Sequence, residues 1–282
     1  MRQRKLKDLD ERMKDLADYL DLDGKQNKGQ WRHMFAQQMI AASGEMAQMM
    51  YYGVLTEEEI EESLYEEDSK LCLEIGCGKG KFMCERAAAF PDSMMIGIEG
   101  QESVIVRAAE KVRMRGLWNT YLISGYVRDI HDFFEDGELD GIFLNFSDPW
   151  PKARHARRRL TCRENLEAYM DVVRDGGFIE FKTDNDELFA FTMEEIEALG
   201  YEIDEMSEDL HAGSNAPAES DAPAESDAPA ESDAPAENDA ADLDDDDEPA
   251  FDGAAASVRF RTEYEEKFMK KGVKIKFVRI VK

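Results

Sequence analysis

The chain has 282 residues, enough for one large or two small domains, and carries 63 Asp and Glu against 35 Lys and Arg, a formal net charge of −28. Such an excess of acid argues at first sight against a nucleic-acid partner. However, 15 of those acids, with no base among them, fall in residues 212–256, and the rest of the chain holds 48 acids against 35 bases, with basic clusters of its own. Cys72, Cys77, Cys84 and Cys162 form no C-x-x-C pair and no zinc spacing, so they read as free thiols in a reducing compartment, and no metal is expected. The opening Met1-Arg2-Gln3-Arg4-Lys5-Leu6-Lys7 has no apolar core behind it, and no apolar run approaches the roughly 20 residues of a membrane span. A cytoplasmic protein with no membrane attachment is expected.

Leu6, Leu9, Met13, Leu16 and Leu20 fall near one face of a first helix. That helix is either docked on the domain or an RNA-contacting arm using Arg2, Arg4, Lys5 and Lys7. Trp31 to Tyr52 is Met-rich, apolar and helical, with Gly44 and Gly53 as breaks. Thr56-Glu57-Glu58-Glu59 reads as a capped helix start, opening a solvated acidic helix over residues 57–67. A buried strand, Leu71 to Ile75, runs into Gly76-Cys77-Gly78-Lys79-Gly80 and a helix over 81–89. A second strand ends in Glu99 and leads to a helix over 101–115. Tyr121 to Ser124 and Ile142 to Phe146 are the third and fourth strands. The spacing predicts a helix over 162–174 closed by Gly176-Gly177, a strand over 178–184 and a helix over 187–199. Residues 201–206 and 273–281 supply two more strands. Strands alternating with helices mean βαβ units: an α/β fold with a mostly parallel sheet and helices on both faces.

Between the last two strands lies a run with a six-residue period, NAPAES, DAPAES, DAPAES, DAPAEN, followed by five acids at Asp244 to Glu248. It is rich in Pro, Ala and charge and poor in apolar bulk, so it is expected to be disordered. The chain therefore divides into a helical extension (1–69), a core domain in two parts (70–211 and 257–282) and an acidic insert (212–256).

Glu74-x-Gly76-x-Gly78-x-Gly80 follows a strand and opens a helix. Dinucleotide sites use G-x-G-x-x-G and have no acid two residues ahead. The departure favours S-adenosylmethionine, whose cationic amino-acid end brings no pyrophosphate to seat. Glu99, at the end of the next strand, can accept both hydroxyls of a ribose. After the fourth strand comes Asn145-Phe146-Ser147-Asp148-Pro149-Trp150-Pro151. The prolines fix a stiff turn, and five Lys or Arg follow Asp148 within eleven residues. Lys152, Arg154, Arg157, Arg158, Arg159 and Arg163 form a ribbon suited to phosphate contact. His155 fits a positioning or phosphate-contacting role better than a metal ligand. Seven bases and no acid follow from Lys267 to Lys282, as edge lysines or as further RNA contacts. Trp118 is expected in the core.

Taken together, LEIGCGKGKF from Leu73, LNFSDPWPKARHARRRLT from Leu144, FKTDN from Phe181 and TEYEEKF from Thr262 resemble the bacterial tRNA (guanine-N7)-methyltransferases. The Arg-rich start and Gly29-Gln30-Trp31 resemble them too. The resemblance implies a Rossmann-like class I S-adenosylmethionine-dependent methyltransferase with a seven-strand sheet, acting on N7 of a guanine in the tRNA variable loop; whether it works as a monomer or homodimer is left open by the sequence. It implies that Glu74, Gly76, Gly78, Glu99, Tyr126 and Asp148 line the cofactor site and that Asp148 is catalytic. Lys152, Arg154, Asp184, Thr262, Glu263, Tyr264 and Glu265 would bind tRNA. Two departures stand out: Tyr126 occupies the place where the family carries an acid or amide, and residues 34–69 exceed its usual lead-in. The rival readings are a methyltransferase for another substrate and a catalytically silent RNA-binding subunit. The ribbon after Asp148 argues against the first, and the intact glycine loop and Asp148 against the second.

Overall fold

The computed structural model describes residues 8–54, 56, 59, 70–211 and 260–282. Helices α1 (Leu9–Asp15), α2 (Trp31–Ala42) and α3 (Gly44–Tyr51) precede the sheet. The core then alternates β1 (Leu71–Ile75), α4 (Lys81–Ala89), β2 (Met94–Glu99), α5 (Glu102–Arg115), β3 (Thr120–Ser124), β4 (Leu139–Asn145), α6 (Arg163–Val172), β5 (Val173–Thr183), α7 (Asp186–Leu199) and β6 (Glu202–Ser207). After the insert come α8 (Glu263–Met269) and β7 (Lys276–Val281). One sheet holds all seven strands in the order β3-β2-β1-β4-β5-β7-β6. The pairs within β1 to β5 are parallel, and β7 runs antiparallel between β5 and β6. This is the expected seven-strand, mostly parallel Rossmann-like sheet.

The first strands are buried on both faces, as their continuous apolar runs require. Leu71, Leu73 and Ile75 pack on one face with Trp31 and Phe35 of α2, Leu166 of α6 and Ile196 of α7. Cys72 faces the other way, with Phe82 of α4, Ile105 of α5 and Leu16 after α1. Helices therefore cover both faces. The strand order reverses between β1 and β4, which places a crevice outside the carboxyl ends of those two strands.

Of the two readings of the first helix, the described part matches docking. Arg12 pairs with Glu110, Arg113 lies 2.6 Å from Asp15, and Leu16 and Leu20 are buried. The expected arm residues Arg2, Arg4, Lys5 and Lys7 lie outside the described residues. So do the insert, expected to be disordered, and all but Glu59 of the acidic helix expected over 57–67. At the start of that helix Glu59 N–H donates to Thr56 Oγ1 (3.2 Å) and Thr56 N–H to Glu59 Oε2 (2.7 Å), a reciprocal cap. Trp118 is half-buried and stacks on Phe35 at 6.0 Å.

Two expectations need correction. The helix expected to run to residue 174 ends at Val172, and Gly176-Gly177 lie inside β5. The pairing with β4 shifts between Leu139 and Gly141, so these glycines serve an irregular strand and do not cap a helix. A Cβ on Gly177 would sit 2.7 Å from the Asp140 carbonyl. The basic tail, read as edge lysines or RNA contacts, does not lie on an edge strand, because β7 sits between β5 and β6. Lys276 pairs with Asp186, Arg279 is buried beside Glu180, and Lys282 donates to the Met170 and Val173 carbonyls, each at 2.8 Å.

Candidate active site

β1 runs into the glycine loop at the crevice. Gly76 has φ +77°, and a Cβ there would meet nothing within 4 Å. Glycine is needed for the backbone, and the space beyond it is open. Gly80 (φ +72°) serves packing as well, since a Cβ would lie 2.8 Å from Ala108 Cβ on α5. The loop is tied to the neighbouring strand: Gly76 and Cys77 N–H both donate to Ile98 O, at 2.8 and 3.2 Å. Gly78 N–H donates to Glu99 Oε2 (3.2 Å) and Gln101 N–H to Oε1 (2.9 Å). Two backbone donors thus fix the half-buried Glu99 carboxylate at the end of β2. Tyr126 follows β3 beside it, 68% exposed, and a side chain at Gly100 would overlap its ring.

Glu74 lies on β1, buried two residues before the loop. Its Oε1 accepts from Asn145 Nδ2 at 2.9 Å, and Oε2 has no hydrogen-bond partner among the described residues. Burial pushes its carboxyl up to about 8, against the opposing pull of the Asn145 hydrogen bond. The nearby thiols are protonated for the same reason. Burial raises Cys72 and Cys84 to about 11 and Cys77 well above its usual value.

β4 ends in the turn that holds Asp148. Phe146 (φ +52°) and Trp150 (φ +42°) are both left-handed, two residues either side of it. Such positions cost on the order of 1–3 kcal/mol each and persist only where the surroundings impose them. Phe146 N–H donates to Lys182 O at 2.9 Å, anchoring the turn to β5. Asp148 itself is exposed. A short 3-10 turn, Ala153–Arg158, follows and wraps Trp150, with His155 edge-on (5.7 Å) and the Arg158 guanidinium over the ring (5.0 Å).

Lys152, Arg154, Arg157 and Arg158 are exposed, as the ribbon reading requires. Arg159 is not: its guanidinium is turned inward, donating to the Pro149 and Trp150 carbonyls. Arg163 is paired with Glu195 at 2.9 Å. Phe146 stacks on Phe268 (5.9 Å), which stacks on Tyr264 (6.4 Å), so a row of rings leads from the turn to the surface. Asp184, half-buried at the end of β5, has its carbonyl held by Lys276 Nζ at 3.2 Å.

A family model described as a putative methyltransferase matches residues 68–229. The tRNA (guanine-N(7)-)-methyltransferase of Staphylococcus carnosus is 40% identical over 147 residues, covering 52% of this chain and 70% of that protein. Its counterpart in Halalkalibacterium halodurans is 36% identical over 205 residues, 73% of this chain and 74% of that protein. The chain belongs to the tRNA (guanine-N7)-methyltransferase family.

In this family member the Thr262-Glu263-Tyr264-Glu265 block divides by direction. Thr262 Oγ1 caps α8 by accepting from Glu265 N–H at 3.0 Å. Glu263 pairs with Lys111 at 3.1 Å, and Glu266 pairs with Lys81 beside the glycine loop. Glu265 is fully buried, 2.7 Å from His211 Nε2 and 3.6 Å from Lys182 Nζ. Tyr264 points outward, 60% exposed.

Two residues of this methyltransferase escaped sequence reasoning. Asn145 carried a signal, as the one amide ending an apolar strand, but its partner Glu74 is 71 residues away. Lys182 is a charge inside the apolar run Phe178 to Thr183, and such a residue is kept only with partners. Its burial lowers the tendency of the ammonium to hold a proton, opposed by Glu265 and Glu180.

Proposed function

We propose that this protein transfers a methyl group from S-adenosylmethionine to N7 of a guanine in the variable loop of tRNA, in the cytoplasm. One observation carries the reading. The Asp148 turn stands beside the glycine crevice at the strand-order reversal, with the exposed bases Lys152, Arg154, Arg157 and Arg158 directly after it.

The residues at the crevice fit the donor. Its amino-acid end is cationic, and Glu74 offers a buried carboxyl whose Oε2 takes no side-chain hydrogen bond among the described residues. Gly76 leaves its space open, and the backbone-fixed Glu99 suits a ribose. Tyr126 is assigned to the adenine side, and Gly78 to the backbone wall. When bound, the donor supplies an electrophilic methyl on a sulfonium. The chain's own residues then have a modest chemical task. Guanine N7 presents a lone pair and loses no proton, so no strong general base is required. Alignment supplies most of the rate. The product ring is cationic, and the Asp148 carboxylate stabilises that charge while accepting from the N1–H and N2–H edge.

Lys152 and Arg154 contact tRNA phosphates, and Asp184 and Tyr264 contact the nucleoside region. Thr262, Glu263 and Glu265 serve tRNA binding by holding α8 in place. The same reading makes residues 70–211 and 257–282 one methyltransferase domain, because β7 inserts between β5 and β6. Residues 1–69 are then an extension and 212–256 an insert.

The test is incubation of purified protein with methyl-labelled donor and unmodified tRNA transcript. Nucleoside chromatography should show label in N7-methylguanosine, lost when the variable-loop guanine is replaced by adenine. Label in any other nucleoside, or in protein, would refute the reading.

A further inference from the structure

The cationic ribbon after Asp148 contains one member with no access to phosphate. Arg159 is 9% exposed. Its Nε–H donates to the Pro149 carbonyl at 3.0 Å and its Nη2–H to the Trp150 carbonyl at 3.2 Å. The guanidinium lies 4.2 Å from the centroid of the Phe191 ring on α7. Among the described residues no carboxylate comes within salt-bridge distance of it. A buried cation with no counter-ion is expensive, so the partners it does have matter. They are two successive carbonyls of the turn that carries Asp148 and one aromatic face. The planar fork sets one N–H on each carbonyl while its face lies against the Phe191 ring, a combination that a lysine ammonium, a point charge without a flat face, does not reproduce.

The turn needs such a clamp. Prolines 149 and 151 remove two backbone donors from it, and Trp150 between them is held at φ +42°. Nothing in the local sequence favours that conformation for a tryptophan. Arg159 itself is well seated: its N–H donates to Ala156 O (3.0 Å), and its carbonyl accepts from Cys162 N–H (3.1 Å) and Asn165 Nδ2 (3.2 Å). Phe191 lies on α7, the helix that begins just after Asp184. The clamp thus ties the Asp148 turn to the helix that follows Asp184, one of the proposed substrate residues.

We infer that Arg159 is a positioning residue for the reaction: it holds the Asp148-Pro149-Trp150 turn with Trp150 left-handed and so sets the placement of the Asp148 carboxylate. This rests on the proposed role of Asp148. A competing role, phosphate contact, makes opposite demands on the same variants.

The experiment compares Arg159→Lys, Phe191→Leu and Asp148→Asn with the parent, measuring kcat and KM for tRNA, donor affinity by calorimetry, melting temperature and the salt dependence of tRNA binding. For Arg159→Lys the inference expects kcat down about 10- to 100-fold, the scale of a misplaced catalytic group. Donor affinity and the slope of log K against log salt should stay at parent values. A kcat within about twofold of the parent would overturn it. So would a salt slope reduced by about one phosphate contact with kcat kept, since that marks Arg159 as an RNA contact. If Arg159→Lys does not stay folded, Phe191→Leu decides, because it removes the ring and leaves the fork. Loss of kcat with donor affinity kept supports the inference, and unchanged kcat refutes it. Asp148→Asn separates the two levels. Normal turnover there would remove Asp148 from its role and the inference with it. An inactive Asp148→Asn beside a fully active Arg159→Lys would remove the inference alone.

Discussion

Asn145 Nδ2 donates to Glu74 Oε1 at 2.9 Å, joining β4 to β1 at the point where the strand order reverses. That bond is the carboxyl's one side-chain hydrogen bond among the described residues, supported by the Met83 backbone and the charge of Lys182. Burial holds the carboxyl near 8. Its value in the unfolded chain is the ordinary one of about 4.3. A raised folded value means the contribution to stability is complete below the unfolded value and is lost as pH rises towards about 8. The donor-free protein should therefore melt at lower temperature at pH 8.5 than at pH 5.5, and Glu74→Gln should flatten that difference. Binding of a cationic donor favours the ionised form, so below pH 8 it should release a proton. Calorimetry in buffers of different ionisation enthalpy measures that proton directly. A buffer-independent binding enthalpy at pH 7 would contradict the environment assigned to Glu74.

Asp148 is exposed, and its side chain makes no hydrogen bond or ion pair among the described residues. Its removal should cost little stability. Asp148→Ala is expected to retain the parent melting temperature and most donor affinity, with turnover below about a tenth of the parent, a barrier increase above ~1.4 kcal/mol. Turnover above that level, in protein shown to be folded, would take the residue out of catalysis.

The basic segment divides into free and committed cations, and the division predicts salt behaviour. Lys152→Ala and Arg154→Ala should each weaken tRNA binding at low salt. Each should lower the slope of log K against log salt by about 0.7–0.9, the scale of one phosphate contact. Arg163→Ala should leave the slope nearly unchanged, because its guanidinium is held by Glu195 at 2.9 Å. Filter binding from 50 to 300 mM salt would distinguish the three. Equal slopes for parent and all variants would move the RNA-binding face elsewhere on the protein.

The sheet was legible in the sequence because each parallel strand is a short apolar run bounded by Gly, Pro or an acid. The signals at Gly76, Gly78 and Glu99 are local for the same reason. Long-range information was hidden. Nothing near Arg159 says that it turns back to two carbonyls ten and nine residues earlier while Lys152 and Arg154 face outward. Periodicity could not show it in a segment that is neither strand nor long helix. Gly176-Gly177 misled because a glycine pair after an amphipathic helix is also what a helix stop looks like. The deciding fact, the Asp140 carbonyl lying where a Cβ on Gly177 would sit, is on another strand, β4. Glu265 gave no sign of burial either, because its partners Lys182 and His211 come from β5 and from the end of the first part of the core.

The row Phe146, Phe268, Tyr264 yields the last prediction. Its inner ring adjoins the Asp148 turn and its outer ring is 60% exposed, with 5.9 and 6.4 Å between successive centroids. A nucleobase stacking on an exposed ring is worth about 1–3 kcal/mol. Tyr264→Ala should therefore lower tRNA affinity roughly tenfold or more, with donor affinity unchanged. Tyr264→Phe should behave like the parent, because stacking needs the ring and the hydroxyl makes no hydrogen bond among the described residues. Phe268→Ala should fall between them, since it leaves Tyr264 in place but removes the ring behind it. Gel-shift titrations with unmodified tRNA and calorimetry with the donor give both affinities for each variant. If Tyr264→Phe lost as much as Tyr264→Ala, the hydroxyl would be the contact and stacking would be excluded. If neither lost affinity, the row would be packing for α8 alone.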